Sequence, residues 1–165
     1  MKCTVSGEEP VNDRSAPVPS DAKRADGQHV DHWVMCPGEI IEKGFVRPVR
    51  LKYQHVGRPG PKYPLVDLTP EQLERYREVG YVKFEPNPDY PESSAVLGRY
   101  WTQKMLDSID KGCGVVTSMP RQIAETYAAE PGYYGSTFCC GCGTYLPVGK
   151  DGEFVWDGTN DRVGT

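Results

Sequence analysis

Apolar and polar positions alternate most regularly between residues 49 and 55. Val49, Leu51, Tyr53 and His55 fall on one side, and Arg50, Lys52 and Gln54 on the other. Period two predicts a half-buried strand with His55 on its apolar face, at the end. A helical pattern follows over 69–80. Thr69 is placed to cap it, Pro70 suits the first position, Gln72 completes a capping box, and Leu73, Tyr76 and Val79 form the stripe before Gly80. Short strands are expected at 81–85 and 115–117, and a short apolar segment at 32–35. Part of 97–109 reads as helix, its aromatic residues Tyr100 and Trp101 serving to pack. Ser118 is expected to cap a third helix with the inner stripe Ile123, Ala124, Tyr127 and Ala128, ending before Pro131. Residues 144–148 and 153–156 read as a hairpin joined by Gly149, Lys150, Asp151 and Gly152. Residues 57–64 and 86–91 hold too many prolines for helix or central strand.

Composition sharpens this picture. Among 165 residues are Gly 18 and Pro 15, which points to a loop-rich chain. Residues 1–29 show no apolar periodicity and read as an extended or disordered arm, with Cys3 in it as a free thiol. The net charge of -4 disfavours general binding of nucleic acid. No apolar run is long enough to span a bilayer and no signal-peptide core opens the chain, so the expected location is cytoplasmic. In that compartment six cysteines are expected to be reduced and available to a metal.

The chemistry concentrates at Phe138-Cys139-Cys140-Gly141-Cys142-Gly143. Two thiols in a Cys-x-x-Cys-Gly turn make a metal knuckle and supply half of a tetrahedral site. The other half needs a second ligand pair. Cys113-Gly114 has a knuckle's ending, but Asp110 stands where its partner would be. If 56–112 is an insertion into that first knuckle, His55 and Cys113 become its two halves. The expected set is then His55, Cys113, Cys139 and Cys142, holding structural Zn2+, with iron not distinguished by ligand type. Cys36 and Cys140 remain alternatives for one position, Cys140 otherwise being a packed bystander. His29 and His32 read as surface residues. The fold expected is α+β: a small zinc-ribbon-like β core with short helices, a helical and loop insertion, and an extended N-terminal arm. One zinc-binding domain would cover 30–165.

Five segments carry a resemblance. They are the run from Gly44 through Arg50 and Tyr53 to His55, Cys113-Gly114 with Val116, Thr117 and Met119, Ile123 to Pro131, Tyr134 to Thr144, and Pro147-Val148 through Glu153-Phe154-Val155-Trp156-Asp157-Gly158-Thr159. Together they resemble a family of small proteins of bacteriophage and prophage genomes that has no established function. The resemblance implies a phage-encoded accessory protein, in the host cytoplasm or associated with a virion. It also implies shorter members in which the histidine and Cys-Gly stand close together. A histidine shortly after the second knuckle is frequent in that family, whereas this chain has Tyr145 there.

Three function classes follow. The first is a non-enzymatic, zinc-stabilised module that binds a protein partner. The alternative is a nucleic-acid-binding zinc ribbon using Arg47, Arg50 and Lys52 beside Trp33 or Tyr53. An enzyme acting through a cysteine or through Asp157 and Asp161 has no motif in its support.

Overall fold

The computed structural model of the chain describes residues 2–5, 22–89 and 98–165. In chain order the elements are β1 (Lys2–Thr4), β2 (Trp33–Met35), α1 (Pro37–Lys43), β3 (Lys52–His55), β4 (Val66–Asp67), α2 (Pro70–Arg75), β5 (Tyr81–Glu85), β6 (Arg99–Thr102), α3 (Gln103–Asp107), β7 (Val116–Ser118), α4 (Arg121–Ala129), a 3-10 turn (Pro131–Tyr133), β8 (Ser136–Cys139), β9 (Thr144–Pro147) and β10 (Phe154–Trp156). The fold is a small α+β arrangement of short antiparallel sheets and short helices. It divides into two compact units, one formed by Met1–Val56 with Gly112–Thr165 and the other by Gly57–Lys111.

In the first unit β3 is the central strand of a three-stranded sheet in the order β10, β3, β7. Its alternation survives over Lys52–His55, with Tyr53 2% and His55 4% exposed. Upstream it holds at Val49, which packs partly buried against the core, and breaks at Leu51, which is 46% exposed. Helix α4 lays Ile123, Ala124, Tyr127 and Ala128 against the core, as its periodicity requires. Ser118 does not cap it. That residue ends β7, paired with Lys52, and the helix begins behind Pro120 without a side-chain cap. Met119, Phe154, Trp156 and Val163 complete the core.

The expected hairpin over 144–156 does not form. β9 pairs with β8, Thr144 opposite Cys139, while β10 pairs with β3, Phe154 opposite His55. The knuckle turn itself is the tight connection, so it gives β9 to β8. The Gly149–Gly152 turn then carries the chain to the other sheet; Gly152 lies so close to Val148 that an added Cβ would sit 2.5 Å from its backbone. The start and end of the 1–29 segment are also built into the fold. β1 pairs with β2, and residues 22–30 make a tight antiparallel turn closed by Lys23 and His29; residues 6–21 lie outside the described residues. Cys3 is not a free thiol: it forms a disulfide with Cys36. No helix of the described residues is long and apolar enough to cross a membrane.

In the second unit β4, β5 and β6 form an antiparallel sheet. α2 carries the expected capping box between Thr69 and Gln72, yet buries none of its stripe. Trp101 is 0% exposed and its indole N–H donates to Glu85, which also accepts from the Lys62 backbone.

Two buried phenols, Tyr53 and Tyr127, and the partly buried Tyr134 link the first unit's packing to pH. Burial pushes Tyr53 up to about 12, partly offset by its hydrogen bond with Thr137, and burial raises Tyr127 and Tyr134 as well. A raised phenol pKa leaves stability intact below the unfolded value of 10.0. Above that, the unfolded chain releases its proton first and stability falls. Tyr53 alone should remove roughly 2–3 kcal/mol by about pH 12. Urea midpoints measured from about pH 9 upward should therefore drop steeply past 10; a flat profile would contradict this burial.

Candidate metal centre

The four sequence-selected ligands come together. One atom each of His55, Cys113, Cys139 and Cys142 lies within 4.8 Å of all the others, an arrangement that could hold a metal ion. Cys113 Sγ is 3.4 Å from Cys139 Sγ, and Cys142 Sγ is 3.4 Å from His55 Nδ1.

Each half of the site is built by a turn. In the second, the chain reverses between β8 and β9: the Gly143 N–H donates to the Cys139 carbonyl at 2.8 Å and the Cys142 N–H points at Cys139 Sγ at 3.4 Å. Gly143 sits at φ 67, a left-handed conformation that glycine takes without a steric penalty. Gly141 passes so close to the first half that a Cβ there would meet Cys113 Sγ at 2.8 Å. In the first half, His55 ends β3 and Cys113 precedes β7. Their backbones interlock, with the His55 N–H donating to Val115 and the Gly114 N–H donating to His55. Gly112 has no room for a side chain, since a Cβ would lie 2.2 Å from the His55 carbonyl oxygen.

The histidine's tautomer follows from its neighbours. The Cys113 backbone N–H donates to Nδ1 at 3.2 Å, so Nδ1 carries a lone pair. Nε2 then holds the proton and donates it to Glu153 Oε1 at 3.0 Å. A carboxylate behind a ligating imidazole fixes its orientation and raises its basicity. Periodicity did not single out Glu153. Its role becomes legible only once Phe154 is known to pair with His55. Replacing it, Glu153→Gln, should weaken metal affinity by about 10–100-fold. Competition with a chromophoric chelator would measure this, and unchanged affinity would remove Glu153 from the site.

The thiols differ in proton affinity without a metal. Burial opposes ionisation of Cys113, but the Val115 backbone and the Cys139 and Cys142 thiols lower its pKa. Burial and the neighbouring thiols push Cys142 up to about 12, and burial raises Cys139. Cys113 is thus the thiol that loses its proton most readily, and an incoming cation would displace protons from the others.

The remaining candidates lie elsewhere. Cys36 is committed to its disulfide and supplies no ligand. Cys140 is exposed rather than packed, its thiol held beside β7 by the Thr117 hydroxyl at 3.3 Å. Tyr145, at the place where the resemblance leads one to expect a histidine, turns to other partners: its hydroxyl meets His32 Nε2 at 3.2 Å and accepts from the His29 N–H at 3.1 Å. His29 and His32 are accordingly half-buried, not surface residues. The proposed basic strip is largely occupied. Arg50 pairs with Asp161 at 3.0 Å and Arg47 donates to the Thr165 carbonyl at 3.2 Å. Comparison with protein-family models, curated proteins and solved structures finds no match.

Proposed function

We propose that this chain is a non-enzymatic, zinc-stabilised module that binds a protein partner. The observation that supports it is the ligand set: three thiols and one imidazole converge from two separate turns. Four protein ligands leave no coordination position for a reactive water, which is the pattern of structural rather than catalytic zinc. Thiolates with one imidazole suit zinc's tetrahedral preference. The chain is glycine- and proline-rich, and a metal staple supplies cohesion that such a fold otherwise lacks.

A protein partner is favoured over nucleic acid by the surface. Ile41, Phe45, Val46 and Leu51 stay exposed on the stretch leading to β3, whereas Arg47 and Arg50 are engaged within the chain. The phage resemblance suggests a viral or host protein as that partner. The test compares zinc-loaded wild type with a Phe45→Glu, Leu51→Glu double variant. Both are offered to host extract, with filter binding to nucleic acid at low salt alongside. A partner captured by the wild type and lost by the variant, with zinc retained in both, is the expected result. Capture of nothing, or nucleic-acid retention with a steep salt dependence, would overturn the reading.

A further inference from the structure

A cavity of about 300 Å³ opens in the first unit, and none of the four metal-cluster residues lines it. Ile123 and Tyr127 of α4 form one wall, Phe138 and Tyr145 of the knuckle hairpin another, and His29 with Trp33 a third. This volume lies at the lower end of small-molecule sites and far exceeds the roughly 30 Å³ share of one water.

The walls select by shape and charge. Aromatic rings on several sides favour a flat ring that can stack or meet them edge-on. The lining side chains whose protonation is shifted are held neutral at pH 7: burial and then His29 lower the His32 pKa, and burial raises Tyr53, Tyr127, Tyr134 and Tyr145. His32 is fully engaged, its Nδ1 on the Asp31 carbonyl at 2.9 Å and its Nε2 on the Tyr145 hydroxyl. The one carboxylate at the wall, Asp31, has an oxygen accepting from the His32 N–H at 2.9 Å. An anionic guest would surrender hydration here without gaining an opposite charge, and would face the Asp31 carboxylate.

Two polar atoms at the wall are left over among the described residues, His29 Nδ1 and the Tyr127 hydroxyl. His29 Nδ1 is buried and has no hydrogen-bond partner among the described residues. A ring nitrogen can accept from an N–H or O–H, and a buried polar atom left unpaired is unfavourable. We infer that this cavity binds a small, planar aromatic molecule without negative charge, whose N–H or O–H donates to His29 Nδ1.

The test uses indole as the probe, with two comparators. Indene has the same shape without the N–H, and indole-3-carboxylate adds a charge. Amide chemical shifts of the zinc-loaded, labelled chain are followed during each titration. Indole should shift resonances around Ile123, Tyr127 and Phe138, and bind at least about tenfold more tightly than indene or the carboxylate. His29→Leu should abolish the preference for indole over indene while the metal content stays at one equivalent. Ser118→Trp, at an exposed position on the cavity's edge, should block all binding. No shifts with indole up to its solubility limit would overturn the inference. So would equal affinity for indole and indene in the wild type.

Discussion

A Cys139→Ala chain is expected to purify without stoichiometric metal and with the first unit unfolded. Cys139 is 0% exposed and belongs at once to the ligand cluster and to the hydrophobic core around Tyr53, Tyr127 and Phe154. Structural zinc contributes on the order of 10 kcal/mol to folding in small modules. The whole net stability of an ordinary domain is about 5–15 kcal/mol. Loss of the ion therefore removes most of what keeps the unit folded. Near-UV circular dichroism and metal analysis would read both effects. Cys140→Ala is the matched control. That thiol is exposed and lies outside the cluster, so the variant should keep its metal and lose at most about 1 kcal/mol. A folded, metal-loaded Cys139→Ala chain would contradict this account, as would loss of metal from Cys140→Ala.

Excising 57–111 and joining Val56 directly to Gly112 should leave a folded chain that binds one metal ion. The cut leaves His55 and Cys113 separated by two residues, the spacing of an ordinary knuckle. The two backbones to be joined run close together, since the position of a Cβ on Gly112 is 2.5 Å from the Val56 carbonyl carbon. The excised stretch is a compact unit in its own right, with its own sheet and its own buried Trp101. Shortening the connection also lowers closure entropy, by up to about 3 kcal/mol on the logarithmic scaling. Metal stoichiometry and amide dispersion of the excised chain would decide. A chain that neither folds nor retains metal would show that Gly57–Lys111 is required for the first half of the site.

What could be read from residues alone was local. The Cys-x-x-Cys-Gly turn carries its ligand chemistry in five positions, and the alternation ending at His55 places an imidazole on a buried face. Thr69 with Gln72 and the stripe of α4 were legible for the same reason, since capping and periodicity act within one or two turns. Pairings between distant segments were not. Nothing near Cys3 or Cys36 marks them as partners 33 residues apart. Nor does β10 announce that it leaves its neighbour β9 for β3, and Glu153 took its place behind His55 through that choice. The helix α1, begun by Pro37, was missed because its seven residues bury only Ile40. Tyr145 stands where the resemblance implies a histidine. Its hydroxyl is instead engaged with His29 and His32, and His55 faces the thiols.

X-ray absorption at the metal edge of the purified, full-length protein tests the tetrahedron most directly. One zinc per chain, bound by three sulfurs at about 2.3 Å and one nitrogen at about 2.0 Å, is the result expected. A four-sulfur shell, a shell dominated by oxygen, or no stoichiometric metal would contradict it.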